Sequence, residues 1–85
     1  MNVYRVVTSP SAEKELEKLP KKAVQRITRA IDELAENPRP RGCLKLQGEE
    51  NTYRIRVGVY RVVYEIRDKE IVVLVLRIRH RKDAY

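Results

Sequence analysis

Apolar positions follow two rhythms along the chain. From residue 12 to residue 34 they recur every three or four residues; from residue 52 they alternate or run together. Ala12, Leu16 and Leu19 fall at i, i+4 and i+7, one face of a short helix. Ser9 suits its N-cap and Pro10 its first position. Pro20 breaks this helix and can open the next. Val24, Ile27, Ile31 and Leu34 are spaced 3, 4, 3, with Ala23 and Ala30 beside them. That stripe predicts a second helix over residues 21–36 and an αα-hairpin with one shared apolar side. The segment Asn37-Pro38-Arg39-Pro40-Arg41-Gly42 stops it and makes a loop.

Strand patterns dominate elsewhere. Residues 2–7 (NVYRVV) read as a short strand, and Leu44-Lys45-Leu46 as another, before a polar turn at Glu49-Glu50-Asn51. Residues 52–57 (TYRIRV) alternate strictly, with Tyr53, Ile55 and Val57 on one face and Thr52, Arg54 and Arg56 on the other. Gly58-Val59 makes a two-residue turn with Gly first, as type II′ prefers. Residues 60–67 follow, then Asp68-Lys69, then a strand over 70–78. That last strand is apolar on both faces until Arg77, the mark of a central strand. The order β-α-α-β-β-β-β predicts an α+β fold, a two-helix hairpin packed on a mostly antiparallel sheet.

A chain of 85 residues is one domain, 1–85, with a modest core. Without Phe or Trp that core is aliphatic, supplemented by some of the five tyrosines. A single cysteine, Cys43, excludes an internal disulfide and fits a reducing compartment. No stretch reads as a signal peptide or reaches the roughly 18 apolar residues of a membrane span, so a cytoplasmic protein is expected. The net charge of +7 is unevenly placed: residues 1–36 carry +1 and residues 37–85 carry +6. A basic half points first to nucleic acid and second to an anionic membrane, against a generic soluble surface.

The hairpin concentrates that charge. With Gly58-Val59 as the turn, Val57 faces Tyr60, Arg56 faces Arg61 and Arg54 faces Val63. Arg54, Arg56 and Arg61 then share one face, while Tyr53, Ile55, Tyr60 and Val62 turn toward the helices. Opposed like charges destabilise a sheet, so three cations in one patch imply an anionic ligand, and the arginine fork suits phosphate. Lys22, Arg26 and Arg29 on the second helix read as a solvated stripe, with Glu33 placed to pair with Arg29. The acids sit on helix faces and in turns. One His and one Cys make no zinc site, and no two-metal pair, phosphate loop or Ser/His/Asp set is present, so neither metal nor small-molecule cofactor is expected. Metal-free RNA cleavage remains, because the 2′-OH is an internal nucleophile. It needs a base, an acid and cations for the transition state, roles open to His80, Tyr85 and the arginines.

The stretches SPSAEKELEKLP, IDELAENPRPRGCLKLQG, YRIRVGVYRVVYEI and LRIRHRKDAY, in that order, resemble the RelE toxins of the RelE/ParE superfamily from toxin–antitoxin systems. The resemblance covers almost the whole chain. It implies two helices on a curved antiparallel sheet and metal-independent cleavage of mRNA in the ribosomal A site. It also implies a RelB-like antitoxin partner and no membrane. Arg54 and Arg56 stand where the family has two basic strand residues, commonly lysines. Arg61 matches the hairpin arginine, Arg81 the C-terminal arginine and Tyr85 the tyrosine. By that likeness Arg56 and Arg61 hold the transition state, Arg81 acts at the leaving group, and Tyr85 or a basic strand residue is the base. Arg54, Lys45, Arg77, Arg79 and His80 are then the RNA-binding candidates. A ParE-type toxin acting on DNA gyrase and a non-catalytic basic relative are the alternatives.

Overall fold

A computed structural model describes residues 3–83. Its elements are β1 (Arg5–Thr8), α1 (Pro10–Glu17), α2 (Lys21–Glu36), β2 (Leu44–Lys45), β3 (Thr52–Val57), β4 (Tyr60–Arg67) and β5 (Val72–His80), followed by a 3-10 turn at Arg81–Asp83. Their order is the one expected, and the two helices pack on a five-stranded sheet. The strands lie in the order β1-β5-β4-β3-β2. Among the described residues the β1–β5 pair is parallel and the other pairs are antiparallel.

Local chemistry sets the boundaries. Ser9 caps α1 by accepting the Ala12 N–H at 3.1 Å, and Pro10 occupies the first helical turn. Pro20 stands at the N-cap of α2 with φ −59°, without a side-chain cap. Gly58 has φ +61° and Val59 does not enter the left-handed region, the signature of the type II′ turn. Two strands are displaced from expectation. The first, expected over 2–7, runs Arg5–Thr8 and leaves out Val3 and Tyr4, because the Tyr4 N–H is drawn to the Ala35 carbonyl at the end of α2; Asn2 lies outside the described residues. The last runs 72–80 rather than 70–78. Ile71 is held at φ +56° in a turn, its N–H donating to Asp68, and β4 supplies partners as far as His80.

The core lies between the helices and one sheet face. Ala12, Ile27, Ile31 and Leu34 meet Ile55, Val62, Tyr64, Ile66, Val73, Val75 and Ile78. Tyr64 is the largest fully buried side chain; its hydroxyl donates to the Pro38 carbonyl at 2.7 Å, which pins the proline-rich loop. Burial pushes its phenol pKa up. Arg39 of the same loop pairs with Asp68 at 2.9 Å, donates to the Tyr53 hydroxyl at 3.3 Å and lies over the Tyr53 ring. Tyr4 donates to Asp68 as well. This clamp consumes one cation of the basic half for structure.

Candidate nucleic-acid interface

The other sheet face is not covered by the helices, and strand register decides what it carries. In the β3–β4 hairpin Arg56 pairs with Arg61 and Arg54 with Val63, as the two-residue turn requires. On β4–β5, Arg61 pairs with Arg79 and Val63 with Arg77. Residues directly opposite in an antiparallel sheet share a face. One row therefore reads Arg56–Arg61–Arg79 across three strands, and the next reads Arg54–Val63–Arg77.

A bulge makes this possible. The β4–β5 register slips between Val63 and Tyr64, so Arg77 and then Val75 are consecutive partners and Leu76 is extra. Without the slip, residues 73, 75, 77 and 79 would share one face. With it, Val73 and Val75 are buried in the core while Arg77 and Arg79 are exposed on the open side. Ile78 then takes its place in the core. Bulges next to functional sites commonly re-aim a side chain in this way.

The arginines differ in surroundings. Arg61 is half-buried, and its Nε is shielded from solvent. A charge so shielded attracts an anion more strongly than one in bulk water. Among the described residues, Arg54, Arg56, Arg77 and Arg81 form no ion pair. Arg79 pairs with Glu15 of α1. Arg81 is exposed just beyond β5, and its N–H donates to the Val59 carbonyl at 2.7 Å, tying the chain to the hairpin turn. Tyr85 lies outside the described residues.

Two candidates separate from this group. His80 pairs with Tyr60, on the face of Val62 and Ile78, and its ring meets the Tyr60 ring edge-on with centroids 5.4 Å apart. Its Nδ1 accepts the Lys82 N–H at 3.1 Å. Lys45 is opposite Tyr53 on the edge strand and shares that residue's face, while Leu44 is the β2 residue level with Arg54. Alternation along β5 and β2, and not any property of the side chains, moves both away from the arginine rows.

Two residues carry more than their sequence context shows. Glu15, read as one acid on a helix face, reaches β5. Arg26, read as part of a solvated stripe, packs against the turn: a Cβ on Gly58 would lie 3.3 Å from its Nη1. Arg26 and Val57 line both of two open clefts, of about 350 and 310 Å³, between α2 and the hairpin. Among the described residues Arg29 and Glu33 do not form the expected pair.

The open face can bind and neutralise phosphate. Guanidinium stays protonated and offers donors only, so the rows supply charge stabilisation rather than proton transfer.

Comparison with known proteins agrees with this fold. A family described as the ParE toxin of type II toxin-antitoxin systems, parDE, matches residues 6–85. Toxin RelG of Mycobacterium tuberculosis is 31% identical over 83 residues, 96% of this chain and 95% of that protein. The archaeal RelE–RelB complex from Pyrococcus horikoshii contains a chain that superposes with a TM-score of 0.85 at 35% identity, covering 99% of this chain and 100% of that one. The isolated RelE toxin of Escherichia coli gives a TM-score of 0.80 at 29% identity over 91% of this chain and 83% of that one.

Proposed function

The chain belongs to the RelE/ParE superfamily as a RelE-type toxin of a type II toxin–antitoxin system, and we propose on that premise that it is a metal-independent endoribonuclease that cuts mRNA on the ribosome. The observation that carries this reading is the row Arg56–Arg61–Arg79, backed by Arg54 and Arg77 on an uncovered sheet face. A surface that only needed solubility would intersperse its charges. In the proposed reaction the RNA 2′-OH loses its proton and attacks the adjacent phosphorus, the P–O5′ bond breaks to leave a 2′,3′-cyclic phosphate, and the departing 5′ oxygen takes its proton from solvent water. Charge builds on the non-bridging oxygens as the phosphorane-like transition state forms. Arg56 and Arg61 would meet it there, Arg61 from its shielded position, and fixed donors of this kind act most strongly where water is excluded. Arg81, held beside the turn by its backbone, would stabilise the leaving oxygen. Tyr85, which the family resemblance makes the base, would take the 2′ proton. Arg54, Arg77 and Arg79 would hold flanking phosphates.

Relatives of this fold have been crystallised as RelE–RelB complexes. A RelB-like antitoxin is accordingly the proposed partner, with ribosome and mRNA as the target.

The matched family takes its description from ParE, which makes DNA gyrase the second target to test. In a translating lysate the wild-type protein should cut mRNA, and Arg61→Ala should lower the rate by about 10²–10³-fold while still unfolding in one cooperative transition. Intact mRNA together with arrested DNA supercoiling would transfer the chain to the gyrase reading.

A further inference from the structure

Beyond Val75, β5 loses its β1 neighbour, because β1 ends at Thr8 and the chain enters α1. Two α1-proximal side chains continue the ladder in its place. Ser9 Oγ donates to the Leu76 carbonyl at 2.9 Å, and Glu15 Oε1 accepts the Ile78 N–H at 2.9 Å. The second oxygen of the same carboxylate, Oε2, accepts from Arg79 Nη1. Glu15 is therefore held at both oxygens, and its side chain is 20% exposed against 47% for Arg79.

We infer that Glu15 is a positioning residue. It fixes the Arg79 guanidinium at the end of the Arg56–Arg61–Arg79 row, so that the donors it leaves free meet an RNA phosphate. The inference deepens the proposed ribonuclease reading and rests on it. The physical basis is the cost of ordering. A long arginine side chain loses rotamer freedom when it binds a phosphate. A rigid carboxylate on one nitrogen prepays that loss, and four of the five guanidinium N–H donors remain. Among the described residues Arg79 makes no other hydrogen bond or ion pair. Its neighbour in the row, Arg61, is a like charge, and the carboxylate also offsets that repulsion.

Charge and positioning predict opposite signs for one substitution. Glu15→Gln keeps an oxygen for the Ile78 N–H but raises the net charge by one unit. Simple attraction would make the variant bind RNA more tightly; loss of positioning would make it bind less tightly. The assay is binding to ribosomes programmed with an mRNA whose A-site codon is 2′-O-methylated, which blocks attack. We expect Arg79→Ala and Glu15→Gln each to weaken binding roughly three- to tenfold, the scale of one hydrogen bond. Glu15→Asp should recover part of the loss. In an Arg79→Ala background Glu15→Gln should change nothing further. Tighter or unchanged binding by Glu15→Gln, or losses that add in the double variant, overturns the inference. Thermal melting accompanies each variant, and a Glu15→Gln loss that tracks melting temperature and persists without Arg79 likewise overturns it. If the protein leaves unmodified mRNA whole yet shows this Glu15–Arg79 dependence, the ribonuclease reading falls and the positioning role stands. If the wild-type protein does not bind programmed ribosomes, both fall.

Discussion

Replacing Arg56 by Gln should raise stability while lowering activity, and the reason lies in the register of the hairpin. The Ile66 N–H donates to the Asn51 carbonyl, which sets the phase of the β3–β4 ladder. Counting from there, Tyr53–Tyr64, Ile55–Val62 and Val57–Tyr60 are the hydrogen-bonded pairs. Arg56–Arg61 is then a non-hydrogen-bonded pair, the kind whose side chains come closest. Like charges opposed in this way cost a few tenths to about 1 kcal/mol. Among the described residues Arg56 has no ion pair to offset the cost. Removing one charge should raise Tm by roughly 1–8 °C at low salt, since about 1 kcal/mol is worth about 4–8 °C in a domain this size. In 1 M salt the Debye length is only about 3 Å, and the gain should largely vanish. Cleavage of mRNA in a translating lysate should fall about 10²-fold, the effect of losing one transition-state donor. The measurements are thermal melts at two salt concentrations and a cleavage time course. No gain at low salt, or a gain that survives 1 M salt, would mean that the guanidinia do not repel one another. The argument from a strained cation row to an anionic ligand would then be wrong.

Two further outcomes test the framework behind the site. Tyr64→Phe removes the hydroxyl that donates to the buried Pro38 carbonyl; leaving that acceptor unpaired should cost about 1–2 kcal/mol, or roughly 4–16 °C in Tm, and a melting temperature equal to wild type would show that the loop is pinned by other means. Asp68 is held below the usual carboxylate range, chiefly by its hydrogen bond from Arg39 and then by that from Tyr4. A depressed folded pKa gives stability that is present above the unfolded value, near 3.9, and lost as pH falls through the folded value. Melts from about pH 6 to pH 2 should therefore show Asp68→Asn with a shallower acid limb than wild type, and superimposable acid limbs would remove this pair from the account.

Most of the fold is written in local patterns. The 3-4-3 spacing between Val24 and Leu34 marks the body of α2, with Pro20 and Asn37-Pro38 bounding it, and the strict alternation of TYRIRV before one glycine fixes the β3–β4 register. The shared face of Arg54, Arg56 and Arg61 follows from parity alone. Parity has nothing to act on in the apolar run before Arg77. Every residue from Ile71 to Leu76 is equally suited to a central strand, so no alternation reveals that Leu76 is an extra residue. The start of β5 is hidden for a related reason: Ile71 looks like strand and is bent into a turn beside Asp68, itself clamped by Arg39 from another part of the chain. Glu15 and Ile78 are 63 residues apart, and an acid on a short helix gives no sign of such a partner. His80 and Lys45 illustrate the converse, since charge and position near the arginines drew them in while register puts them on the other face.

The bulge at Leu76 divides β5 between two tasks. Before it, Val73 and Val75 belong to the core, and β1 supports the strand by parallel pairing. After it, Arg77 and Arg79 belong to the open face, and support passes to Ser9 and Glu15 from the start of α1. The two changes occur at the same place along the strand. β1 ends at Thr8, opposite Val75, where the chain turns into α1, so polar side chains at the start of that helix take over the free edge of β5 where the arginines begin. The same groups that complete the backbone pairing of β5 therefore set where its charges stand. Packing of α1 and the geometry of the arginine row are in this way a single structural problem, solved by one capped helix whose first residues and one carboxylate face the same strand.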